Sequence, residues 1–144
     1  MIHLKNVGNS LVISELPLSR YIWILGSSII LHAEKHIKSR FTGHNLGLQV
    51  LGYSVLWAGI SGMRWDELVP IVHSMTNCFG GIPKMVLIHC GGNDIGIDPC
   101  GKLPFHLKFA VYVISKMLPG SMIAYSNILP RRTWRYSNNR CYGT

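Results

Sequence analysis

The segment Met85 to Asp94, MVLIHCGGND, constrains the fold more than any other. It is an apolar run of strand length that stops at two glycines and an amide. Such a run reads as a buried strand, and Asn93 then sits where the chain leaves the sheet. Three more runs, Tyr21 to Leu25, Ser54 to Ala58 and Met122 to Ser126, have the same length and character. They alternate with helical patterns over Ser28 to Lys38, Trp65 to Cys78 and Phe105 to Leu118. Alternation of this kind predicts an α/β fold, a parallel sheet covered by helices. Ligands of such sheets bind outside the carboxyl ends of the strands.

A chain of 144 residues with 48% hydrophobic and 14% charged content can bury a core and does not read as disordered. One domain over 1–144 is expected, with its core from about residue 20 to about residue 130. No apolar run reaches membrane-spanning length, and the first twenty residues lack the apolar core and cleavage pattern of a signal peptide. A cytoplasmic chain is expected. Cys78, Cys90, Cys100 and Cys141 are too scattered for a zinc pair and are read as reduced thiols. No cofactor or metal is expected.

The strand ends carry the chemistry. The run Tyr21 to Leu25 ends in Gly26-Ser27-Ser28, and Ser54 to Ala58 ends in Gly59-Ile60-Ser61-Gly62. Hydroxyl, small backbone and amide thus converge on one sheet edge. These are parts of an acyl-transfer site, in which a serine attacks a carbonyl while a glycine N–H and an asparagine side chain stabilise the oxyanion. Each part also has a plain structural reading. A serine opening a helix caps it, and glycine and asparagine after a strand make turns. It is their joint occurrence that points to chemistry.

The wording WILGSSII, WAGISGMRWDEL, LIHCGGNDIG and YSNILPRRTWR resembles the SGNH hydrolases, the GDSL-like esterase and lipase superfamily. It looks most like the esterase-type domains in vertebrate retrotransposon open reading frames. The resemblance runs from about Tyr21 to Asn139. It implies a three-layer flavodoxin-like fold that lacks the last strand and helix. It also implies Ser28 as nucleophile, with Gly62 and Asn93 as the oxyanion hole, acting on a small carboxylic ester. Two departures stand out. Ser27 replaces the acid that usually precedes the nucleophile, and the family's final Asp-x-x-His block has no counterpart. A C-terminally truncated, inactive or weak hydrolase is therefore expected.

No histidine is an evident substitute base. His32 and His36 flank Ala-Glu-Lys, whereas the zinc protease motif needs its glutamate directly after the first histidine. His73, His89 and His106 read as packed or surface residues, with His89 pointing to a sheet face from inside its strand. The net charge of +8 supports a second reading. From Lys102 onward the chain has seven bases and no acid, and Trp134 and Tyr136 lie among the arginines. Arg131, Arg132, Trp134 and Arg135 would then contact RNA or DNA in a non-catalytic module. A third reading is a remnant that never folds stably. The acyl substrate and the oligomeric state are left open, and neither Ser39 to Tyr53 nor Ile95 to Pro104 reads as a dedicated pocket.

Overall fold

The computed structural model describes residues 3–7, 10–14, 19–99 and 101–130. It begins with a hairpin that the reading above lacks. Strands β1 (His3–Val7) and β2 (Ser10–Ser14) pair antiparallel, with Val7 opposite Ser10. The overlooked signal was Gly8-Asn9, a two-residue hairpin signature between segments that carry Leu4 and Val7 on one side and Leu11 to Ile13 on the other.

The main sheet contains all four expected strands, β3 (Ser19–Gly26), β4 (Ser54–Gly59), β5 (Pro83–His89) and β6 (Met122–Tyr125). They are parallel, in the order β4-β3-β5-β6. Three helices make the crossovers: α1 (Ser28–Ile37), α2 (Leu68–Phe79) and α3 (Leu103–Met117). The chain steps from β3 to β4 on one side, then crosses back to β5 on the other. This reversal between β3 and β5 is the switch point where doubly wound sheets bind ligands.

Side-chain alternation sets the layers. Trp23 and Leu25 of β3, with Val86 and Ile88 of β5, pack in one buried cluster with Leu68, Val72 and Met75 of α2 and Leu107, Ala110 and Ile114 of α3. Ile24 and Val55 fall on the opposite face and pack with Ile30 of α1. Helices therefore cover both faces, and the fold is the expected three-layer α/β type. Each fully buried aliphatic or aromatic side chain contributes about 1.5–3 kcal/mol.

Two helix starts differ from expectation, for local reasons. Trp65–Glu67 is a 3-10 turn, and α2 proper begins at Leu68. The Trp65 N–H is drawn to the Asp94 carboxylate (3.1 Å) and the Arg64 N–H to Glu67 Oε2 (2.7 Å). Helix α3 begins two residues before Phe105, because Pro104 fits a first helical turn, whose N–H groups have no intrahelical acceptor. The segment 39–52 is a series of turns closed by a 3-10 turn at Leu48–Leu51.

Candidate active site

The carboxyl ends of β3, β4 and β5 lie side by side, with Gly26 in register with both Gly59 and His89. Glycine is required at the first two positions. A Cβ on Gly26 would collide with the His89 carbonyl and the Ile30 side chain, and one on Gly59 with the backbone of Leu31. The two bare strand ends let the first turn of α1 settle directly on the sheet. That turn carries Ser28.

Ser28 is the first residue of α1, and the buried Ser27 before it is the extended N-cap residue. Ser27 is fixed from three directions. Its N–H donates to the His89 carbonyl (3.3 Å), and its carbonyl accepts from Ile30 (3.0 Å) and Leu31 (3.2 Å). Ser27 makes no side-chain cap bond, and Ser28 is half-buried at the helix N-terminus. The positive end of the helix dipole lies at that position.

Gly62 and Asn93 are brought together through one residue. Asn93 Nδ2 donates to the carbonyl of Met63 at 2.9 Å, so the amide is held against the residue that follows Gly62. This bond occupies one of the two amide hydrogens and leaves the second for a ligand. Gly62 is exposed and has φ +77°, a conformation suited to glycine.

A polar tie that sequence reading missed fixes the two turns. Asp94 is fully buried, yet its carboxylate takes Arg64 Nε at 3.0 Å and the Trp65 N–H at 3.1 Å. Burial raises the Asp94 carboxyl above its usual range, partly offset by those bonds, and the bond to Asp94 raises Arg64 in turn. The only sequence signal was an acid directly after Asn93. On the other side, the Tyr125 hydroxyl donates to the Cys90 carbonyl at 2.6 Å. Beside this turn lies an apolar cavity of about 720 Å³, lined by Ile95, Leu103, Leu107, Val111, Tyr125 and Ile128 among others. Part of its wall comes from the segment that had not read as a pocket.

The histidines fall in separate places. His89 ends β5 on the α1 face of the sheet, and its Nδ1 lies 3.1 Å from Ser126 Oγ. His106 stacks on Trp65 with ring centroids 4.5 Å apart, and its Nδ1 is 2.7 Å from Asp98 Oδ2. An Asp–His pair therefore exists, at a separation of eight residues rather than three. His36 Nε2 meets the Arg40 guanidinium on the exposed side of α1. Among the described residues, no histidine hydrogen-bonds the Ser28 hydroxyl, and no group of three or more His, Cys, Asp or Glu residues could hold a metal ion. Arg131, Arg132, Trp134 and Arg135 lie outside the described residues. Among those described, no helix is long and apolar enough to cross a membrane.

No protein-family model matches the chain, and no curated protein matches it in sequence. Solved structures do. AlinE4, an SGNH-hydrolase family esterase, is 16% identical with a TM-score of 0.58, over 85% of this chain and 67% of that one. The psychrotrophic esterase EstA from Pseudoalteromonas sp. is 23% identical with a TM-score of 0.55, over 83% of this chain and 66% of that one. A protein from Streptococcus pneumonia described as a platelet activating factor is 18% identical with a TM-score of 0.50, over 81% of this chain and 49% of that one. The chain thus spans between about half and two thirds of the length of these neighbours. At this level of identity the likeness is one of fold: the four-stranded parallel sheet with helices on both faces is the α/β fold of SGNH-type esterases.

Proposed function

We propose that this chain is an SGNH-type serine esterase domain, akin to those of vertebrate retrotransposons, with Ser28 as nucleophile and Gly62 and Asn93 as oxyanion donors. The observation that carries this reading is the Asn93 to Met63 bond. It supports the reading because it ties Asn93, in the turn after β5, to the residue that follows Gly62, in the turn after β4, and both strands neighbour β3, which leads into Ser28. In the reaction, Ser28 Oγ adds to the carbonyl of a small carboxylic ester while its proton passes to a base. The oxyanion is held by the Gly62 N–H and the second hydrogen of Asn93 Nδ2. Collapse of the adduct expels the alcohol, and water then releases the acyl group from the serine.

The 144 residues contain no aspartate with a histidine three residues later. The chain by itself is therefore a weak esterase or an inactive one. Loss of a base from a serine hydrolase leaves only the oxyanion hole and binding, a deficit of several orders of magnitude.

Hydrolysis of a short-chain aryl ester by the folded chain and by its Ser28→Ala variant tests the reading. A slow rate above the uncatalysed one, little changed by Ser28→Ala and lowered by Asn93→Ala, is expected. Residual turnover indifferent to Asn93→Ala would remove Asn93 from the site and favour a non-catalytic module, whereas turnover that vanishes with Ser28→Ala would mean that another residue of the chain supplies the base.

A further inference from the structure

We propose that Asp98 and His106 are positioning residues for the oxyanion donors, closing a circuit of contacts that locks the Gly62 turn to the Asn93 turn. This role rests on the esterase reading above. Each of the three residues after Gly62 is held from outside its own turn. Met63 accepts from Asn93 Nδ2 at 2.9 Å. Arg64 Nε meets Asp94 Oδ1 at 3.0 Å, and its Nη2 reaches Asp98 Oδ1 at 3.7 Å. The Trp65 N–H donates to Asp94 Oδ2 at 3.1 Å, and its indole stacks on the His106 imidazole with centroids 4.5 Å apart and planes 23° from parallel. His106 in turn holds Asp98, Nδ1 to Oδ2, at 2.7 Å. The circuit therefore runs from Asp94 through Arg64, Asp98, His106 and Trp65 back to Asp94.

Charge explains why the circuit needs His106. Asp94 is fully buried, Asp98 is 7% exposed, and the Arg64 guanidinium serves both. One positive charge thus faces two carboxylates. Burial is the main influence that raises Asp94, and the charge of Asp98 raises it further. A carboxylate only accepts, so His106 Nδ1 donates and gives Asp98 a partner of its own. Without that donor Asp98 would compete with Asp94 for Arg64 and draw the guanidinium away from the Asn93 turn.

Trp65 depends on the same residue. Its Nε1 is buried with no hydrogen-bond partner among the described residues, so packing alone orients the indole, against the core and against His106. His106 itself stands in the first turn of α3 and makes no bond to the Ser28 hydroxyl, which suits an indirect role. Buried ionic groups are a weak source of stability, because apolar side chains of similar shape often replace them without loss. A satisfied polar network does fix one arrangement, and an oxyanion hole needs its donors fixed before charge develops.

Hydrolysis of a short-chain aryl ester and the side-chain amide NMR signals of Asn93 test the proposal together. His106→Phe keeps an aromatic ring over Trp65 and removes the donor. His106→Asn keeps an amide donor near the place of Nδ1. The first should lower the residual kcat about tenfold at unchanged KM and shift the Asn93 Nδ2 signals. The second should keep most of the rate and the parental signals. In an Asn93→Ala background His106→Phe should have no further effect, because the residue it acts through is gone. Circular dichroism confirms that each variant folds, and Asp98→Asn takes the place of His106→Phe where that variant does not.

An equal loss from His106→Phe with and without Asn93 would overturn the proposal, since His106 would then act elsewhere. Asn93 signals that stay in place in His106→Phe, while Asn93→Ala alone slows turnover, would also overturn it and leave the oxyanion reading standing. Turnover that Asn93→Ala does not slow would overturn the oxyanion reading itself, and the role given to Asp98 and His106 with it.

Discussion

Arg64 and Asp94 join the turn after β4 to the turn after β5, with Arg64 Nε 3.0 Å from an Asp94 carboxylate that solvent does not reach. They flank the proposed oxyanion donors, Arg64 two residues after Gly62 and Asp94 directly after Asn93. The two partners should respond unequally to mutation. Arg64→Ala leaves a buried carboxylate with only the Trp65 N–H and should cost about 3 kcal/mol of stability. Asp94→Asn keeps the shape and an acceptor for Arg64, without a charge to desolvate, and should cost about 1 kcal/mol or less. Urea unfolding of the two variants checks the order. Equal costs would mean that Arg64 acts through its packing and not through Asp94.

The same carboxylate sets a pH dependence. Burial is the largest influence on Asp94 and raises it, while the bonds from Arg64 and Trp65 hold it down only in part. The folded state therefore keeps this proton more tightly than the unfolded chain does. Its penalty is present at pH above the folded value and is relieved as pH falls through that value toward the ordinary one of about 4. Asp94→Asn should thus gain stability relative to the parent as the medium is raised from about pH 4 to about pH 7. Unfolding measured at several pH values reads this directly. The opposite trend would mean that Arg64 holds the carboxyl below its usual value.

Gly59 and Gly62 separate packing from conformation. A methyl group on Gly59 would strike the Leu31 backbone, which has no flexible end to yield, whereas Gly62 has open space around its missing Cβ. Gly59→Ala should cost about 2–3 kcal/mol through overpacking. Gly62→Ala should cost about 1–2 kcal/mol through its left-handed backbone alone. Thermal unfolding ranks the pair. Because Leu31 lies on the first turn of α1, Gly59→Ala should also displace Ser28 and reduce its labelling by a fluorophosphonate, which an effect on stability alone would not do in the folded protein.

The sheet was legible because each strand is a short apolar run closed by turn residues, and tertiary contacts did not have to override local preference. The hairpin Val7 to Ser10 was just as legible through Gly8-Asn9, but polar residues broke the apolar pattern on both sides of it. At the proposed site, Ser28, Gly62 and Asn93 are candidates read from strand ends. Their supports were not legible there. Arg64 and Asp94 are thirty residues apart, and only the β4-β3-β5 order brings their turns together. The pairing of Asp98 with His106 escaped notice for a different reason. A spacing of eight matches neither a helix face nor a known motif, and the pair forms because the chain turns between them before α3 begins.

Cys90 reports how rigid the Asn93 turn is. It follows the last residue of β5, is 2% exposed, and has its thiol pushed up to about 12, chiefly by burial and also by Asp94. Since the thiolate is the reacting form, Cys90 should alkylate roughly a thousandfold more slowly than an ordinary thiol, before any steric protection is counted. Cys78 is exposed on α2 and serves as the internal reference. Iodoacetamide labelling followed by peptide mapping should modify Cys78 in the native protein and Cys90 only on unfolding. Labelling of Cys90 under native conditions, at a rate that tracks local opening, would mean that the turn from Gly91 to Asp94 swings away from β5. The bond from Asn93 to Met63 would then be broken for much of the time. An oxyanion hole depends on donors fixed before the charge develops. A mobile turn would therefore leave the proposed oxyanion donors unfixed.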